Sequence, residues 1–215
     1  MRSGFTVCAG LSGIGFVVLA IVINAVYIRG RLPMPVAGNG FEAVAANYAE
    51  VGTALRRPSV AAPAGWLFLT IFAAGLLAVS WHGGSGPQAW ALVGFAGVLM
   101  QNVTFACVEA LRFGLATAAA QHRESMPALW TLSNVLFGFN QLFLATALLG
   151  FTATGVLTSP WQTTVGYLSA ALLFLSSSAA PYNATATSRL AFLGGIGWLG
   201  WATWIIANSI ALVRL

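Results

Sequence analysis

The chain has 215 residues, of which 59% are apolar and 6% charged, and its formal net charge is +5. So few charges exclude an ordinary water-soluble globule. All nine basic residues are Arg, spread over polar joints and not clustered on a face that follows a phosphate backbone, which excludes nucleic-acid binding.

A hydrocarbon core about 30 Å thick takes roughly 20 apolar residues per helical span. Six apolar runs follow one another here, between short joints that hold nearly all of the charge. The expected fold is all-α: a polytopic integral membrane helix bundle of about six transmembrane helices, with residues 1–215 forming a single transmembrane domain. Exclusive use of Arg over Lys, with abundant Ala and Gly, points to a bacterial source.

The first span is expected over about 5–28. Its apolar run is too long for the core of a cleavable signal, so it is read as a retained helix. Cys8 falls inside it and Cys107 inside the third span, where free cysteines act as small hydrophobes, and no disulfide is expected. In the long joint that follows, Pro33, Pro35, Gly38 and Gly40 read as extended or turning chain. Phe41, Val44, Tyr48, Val51 and Leu55 then recur at helical spacing until Pro58, which predicts an amphipathic interfacial helix over about 41–57. It is read as a cover over one end of the bundle, with a gate or partner-docking element as the functional alternative.

The second and third spans are expected over about 65–82 and 89–113. The third carries Gln101, Asn102, Glu109 and Arg112, groups that hydrocarbon tolerates only when paired. Asn102 and Glu109 share a face, and Glu109 and Arg112 are spaced to pair along one helix. Two depths are open for that pair. A span ending near Arg112 leaves it interfacial. The apolar pattern runs on from Phe113 to Ala120, however, and a membrane reaching that far would put Glu109 about 16 Å inside it.

The fourth span, about 128–153, must run antiparallel to the third. Equal distances from the turn at 121–127 bring Glu109 level with Asn140 and Gln141, and Trp130, Asn134 and Gln141 share a face. A carboxylate, a guanidinium and amides at one depth form a candidate polar site between helices. For the amides alone, interhelical hydrogen bonding is the plainer reading. The fifth span, about 163–180, is the weakest, since its strictly apolar part covers only about 24 Å; it is a short helix or a re-entrant segment. The sixth, about 190–213, places Trp198, Trp201, Trp204 and Asn208 on one broad face beside a small-residue stripe of Gly200, Thr203, Ala207 and Ala211. Trp66, Trp81, Trp90, Trp130 and Trp161 fall near span ends, as an aromatic belt requires. The tryptophans inside the sixth span instead line a candidate cavity, or pack, or face lipid.

Arginine placement sets the expected orientation. Arg29, Arg31, Arg56, Arg57, Arg112, Arg123 and Arg189 lie at the joints after spans one, three and five, against Arg2 and Arg214 on the other side. The positive-inside rule puts those joints in the cytoplasm and both termini outside, in the cell membrane. His82 and His122 then lie on opposite sides with no carboxylate cluster beside either, so no metal or haem is expected, and no glycine-rich loop supports a nucleotide. No cofactor is expected. Asn183-Ala184-Thr185 is a lone glycosylation sequon on the cytoplasmic side.

The stretch Val108-Glu109-Ala110-Leu111-Arg112-Phe113, with Leu148-Leu149-Gly150-Phe151 closing the fourth span, resembles an uncharacterised family of bacterial six-helix integral membrane proteins. The resemblance implies the same architecture and no particular activity.

Three functions are weighed. The leading one is binding, with or without movement, of a membrane lipid or small hydrophobic molecule in an aromatic and polar cavity. Its candidate ligand-binding residues are Asn102, Arg112, Asn134, Asn140, Gln141, Trp198, Trp201, Trp204 and Asn208. The second is an intramembrane enzyme, such as a proton-initiated isoprenoid (terpene) cyclase with Glu109 as the catalytic acid and aromatic faces stabilising the carbocation. Pairing with Arg112 and the lack of a second acid inside a span work against it. The third is a structural or assembly subunit that docks a membrane-protein partner along small residues such as Cys8, Ser12 and Gly15.

Overall fold

In a computed structural model the described residues are 4–32, 40–51, 54, 56–183 and 190–215. Arg2, Pro33, Pro35, Gly38, Leu55, Ala184, Thr185 and Arg189 lie outside them. The described chain is all-α, with no strand. Its elements are α1 (Gly4–Arg29), α2 (Phe41–Val51), the single turn α3 (Arg56–Ser59), α4 (Ala62–Ser80), α5 (Ser85–Gln121), α6 (Met126–Ala153), α7 (Pro160–Ser178), the short α8 (Ala180–Asn183) and α9 (Ala191–Arg214).

Five of these are long and apolar enough to cross a membrane: α1, α4 with the 3₁₀ turn behind it, α5, α6 and α9. Six spans are expected from the sequence, and the difference lies in α7. It has 19 residues, about 28 Å of helix, but Gln162, Thr163 and Thr164 at its start and Ser176, Ser177 and Ser178 at its end dilute its apolar centre. It is continuous helix, begun by a capping box in which the Ser159 amide donates to Gln162 Oε1 at 2.7 Å. It presents Gly166, Ser169, Ala170 and Leu173 inward and Tyr167, Leu168, Phe174 and Leu175 outward.

The long helices pair antiparallel, and small residues set the contacts. A Cβ at Gly97 would fall 2.5 Å from the Ala147 nitrogen, and one at Gly94 would fall 2.9 Å from that of Phe151, so α5 and α6 touch backbone to backbone. On the other side of the bundle a Cβ at Gly10 would fall 2.6 Å from the Ser209 carbonyl, which brings α1 against α9. These close approaches lie in the half of the bundle that holds both chain ends. Phe16, Leu69, Phe72, Leu148, Trp201 and Ile205 belong to the core there.

The opposite end is built differently. α2 lies across it, with Val44, Ala45 and Tyr48 buried against Tyr27, Leu115, Met126 and Trp130. Tyr48 meets Trp130 edge to face at 6.4 Å. An ion pair from Arg123 to Glu42 ties the α5–α6 turn to the exposed face of α2. α5 reaches this cover because it runs for 37 residues, about 55 Å, past the expected end at 113.

Candidate functional site

The Glu109–Arg112 pair sits on the inward face of α5, one turn apart, with Arg112 Nη1 donating to Glu109 Oε1 at 2.6 Å. Both residues are buried, at 3% and 2% exposure, though they lie level with the last turn of α1. By height the pair is therefore near the end of α1, and by surroundings it is inside the protein. Tyr27, two residues before the end of α1, donates its hydroxyl to Glu109 Oε1 and Oε2 at 3.1 and 3.2 Å. The same hydroxyl meets Ser59 Oγ on α3 at 2.8 Å. The Arg112 guanidinium stands over the Tyr27 ring at 4.6 Å and near the Phe105 ring at 5.8 Å. Charge, hydroxyl and ring faces thus close on one another in a single cluster.

That cluster forms one wall of a cavity of about 390 Å³ lined by α1, α4, α5, α6 and α9, with Leu173 of α7. Gln101, Asn140 and Gln141 also border it, and Trp198 and Trp201 border it from α9. Trp201 is locked by Phe16, edge to face at 5.2 Å, and stands 6.5 Å from Trp198. Room for the Gln141 amide is made by Gly194, where a Cβ would fall 2.5 Å from its terminal atoms. Ile28 and Gly195 border the cavity and are also exposed, so it reaches the outside of the bundle between the end of α1 and the start of α9.

Several polar atoms at this cavity are buried without a hydrogen-bond partner: Gln101 Oε1, Asn140 Oδ1, Gln141 Oε1 and Arg112 Nε. A buried polar atom left unpaired costs about 1–3 kcal/mol, so such a group of them calls for a guest or for water.

Of the candidate residues, the fold brings Glu109, Arg112, Asn140, Gln141, Trp198 and Trp201 to this one cavity. The others are placed elsewhere. Asn102 turns to α4, where its amide donates to the Trp66 carbonyl at 3.1 Å and to Thr70 Oγ1 at 3.0 Å. Asn134 is fully buried in α6 without bordering the cavity. Trp204 packs toward Gly166 of α7, and Asn208 donates to the Trp204 carbonyl at 2.9 Å within α9. The register of α5 on α6, set by Gly94 and Gly97, also places Glu109 opposite Val135 and not Asn140. The amides therefore occupy the cavity at a different height from the ion pair. Sequence reasoning passed over Tyr27, Ser59 and Phe105. The signal for Tyr27 was a hydroxyl-bearing ring inside a span, one turn short of a pair of arginines.

On α2, burial pushes the Tyr48 phenol above its ordinary value, with nearby Arg112 opposing the shift. Among the described residues no group of three or more His, Cys, Asp or Glu is placed to hold a metal ion. A second, open groove of about 790 Å³ runs along the outside of α9 beside Thr203, Ala207 and Ala211, between Trp161 and Arg214. No family model, no curated protein and no solved structure matches the chain.

Proposed function

We propose that this chain is a multi-pass integral membrane protein that binds a small lipid-like molecule in the cavity beside Glu109 and Arg112. One observation carries the reading: a cavity with aromatic walls gathers a buried ion pair and three buried amides, and unpartnered polar atoms of both border it. Its volume of about 390 Å³ falls at the lower end of small-molecule sites, which run from roughly 300 to 1,000 Å³. The opening at Ile28 and Gly195 lies on the side of the bundle and gives a route from the bilayer.

In this reading α7 spans with the other five helices, and both chain ends share one side of the cell membrane. Arg29, Arg31 and Arg123 at the covered end, against Arg214 at the other, put the covered end in the cytoplasm and the termini outside. The binding reading stands ahead of acid catalysis by Glu109, because both carboxylate oxygens already accept hydrogen bonds from Arg112 and Tyr27.

The test is to purify the protein in nanodiscs and identify co-purifying small molecules by mass spectrometry, with Trp201→Ala and Gln141→Leu in parallel. A defined hydrophobic molecule present in the parent and depleted in either variant supports the reading. Bulk lipid alone, unchanged by both substitutions, rejects it.

A further inference from the structure

The charge in the cavity is already spent. Among the described residues Glu109 and Arg112 are the charged groups that border it, and they neutralise each other. Arg112 gives Nη1 to Glu109, and the Tyr27 and Phe105 rings lie near its guanidinium. Glu109 accepts from Arg112 on one oxygen and from Tyr27 on both. A carboxylate or phosphate entering here would shed its water and find a guanidinium whose charge Glu109 already balances, with Glu109 repelling it. An ammonium would find a carboxylate already balanced by Arg112, which would repel it. Either charge would be desolvated without an adequate counter-charge, which is among the most costly events in a protein interior.

The cavity holds unpartnered groups of both kinds, the donor Arg112 Nε and the oxygens of its amides. Three buried side-chain oxygens, Gln101 Oε1, Asn140 Oδ1 and Gln141 Oε1, stand there without a partner. An amide can be turned so that nitrogen and oxygen exchange places, so the guest that serves these groups in either orientation both donates and accepts. A hydroxyl does so. A bare carbonyl only accepts, and a hydrocarbon does neither.

Resting on the binding function proposed above, we infer that the guest is an uncharged amphiphile with a hydroxyl head: an isoprenoid, sterol-like or fatty alcohol. The hydroxyl lies among the three amides, and the apolar body lies against Trp198, Trp201 and the neighbouring rings. The balanced pair works against acidic lipids, prenyl diphosphates and cationic amphiphiles.

A series with one tail and different heads tests this. The nanodisc-embedded protein is equilibrated with farnesol, farnesal, farnesene, farnesoate and farnesylammonium, and the amount retained above that in empty nanodiscs is measured by mass spectrometry. Farnesol is expected to be retained at least tenfold more than either charged probe, with farnesal and farnesene between. Gln141→Leu, which keeps a side chain of similar size beside Gly194, is expected to bring farnesol down to the level of farnesene. Retention of farnesoate or farnesylammonium equal to that of farnesol overturns the inference and leaves the binding function standing. Equal retention of farnesol and farnesene in the parent also overturns it, since water then serves the amides. If no probe is retained above empty discs, the binding function falls with it.

Discussion

The Tyr27 hydroxyl donates to both carboxylate oxygens of Glu109, joining the last turn of α1 to the middle of α5 across 82 positions of sequence. With Ser59 on its other side it forms a short chain of hydrogen bonds from α3 to the buried ion pair. The bond ties together three elements that neighbour one another only in the folded bundle. Tyr27→Phe is expected to lower stability by about 1–3 kcal/mol, the cost of leaving a buried charged acceptor short of a donor. The ring that Arg112 stands over would remain. Tyr27→Leu removes that contact as well, so its thermal midpoint should fall below that of Tyr27→Phe when both are measured in nanodiscs.

The ion pair itself gives a sharper contrast. Breaking it with Glu109→Gln leaves Arg112 charged at 2% exposure and is expected to cost about 3–5 kcal/mol. Replacing both members, as Glu109→Leu with Arg112→Leu, removes the stranded charge and should restore most of the lost stability. Thermal unfolding of the two single variants and the double variant forms a cycle. A double variant no more stable than the worse single one would show that the pair is required for folding.

Two glycines predict opposite responses to the same methyl group. At Gly150 a Cβ would fall 2.6 Å from the Gly94 Cα, with backbone that has nowhere to move, so Gly150→Ala should part α5 from α6 and lower the melting point. At Gly195 a Cβ would meet nothing within 4 Å, so Gly195→Ala should be neutral or slightly stabilising through its better helix propensity. The paired thermal midpoints check both directions.

Gly195→Phe uses the same open space to test the mouth of the cavity. The fold should keep its melting point, while uptake of a cavity-bound probe slows several-fold in a stopped-flow or timed mass-spectrometry measurement. Unchanged uptake would place the route elsewhere.

Tyr48 sets an alkaline limit. Burial holds its phenol above the ordinary value of 10.0, so the folded chain keeps this proton after the unfolded chain has lost it. Stability from this group is complete below about pH 10 and declines as the pH rises beyond it. Melting points measured from pH 8 to 11 should fall less steeply for Tyr48→Phe than for the parent.

The spans and the polar residues within them were legible because hydropathy and helical spacing are local properties. α1, α4, α6 and α9 lie close to the expected 5–28, 65–82, 128–153 and 190–213. The end of α5 was less legible: its apolar pattern beyond Phe113 is buried by α2 of the same chain, a tertiary contact that hydropathy alone does not distinguish from lipid. The candidate site divides in the same way. Glu109 and Arg112 could be paired from their spacing, whereas the height of Asn140 depended on the register that Gly94 and Gly97 impose on α6. Tyr27 was overlooked because an aromatic residue near a span end fits a membrane belt equally well.

The contact of Gly10 and Gly13 with Ser209 fixes α1 on α9 at one height, and the opening between Ile28 and Gly195 lies at another. From Gly13 to Ile28 the axis runs about 22 Å. A rocking of about 5° about the glycine contact therefore shifts the far rim by about 2 Å, given that lever length. The small residues at the fulcrum would keep their packing throughout. Under the binding function proposed above, a slight change of tilt between α1 and α9 would change the width of the passage.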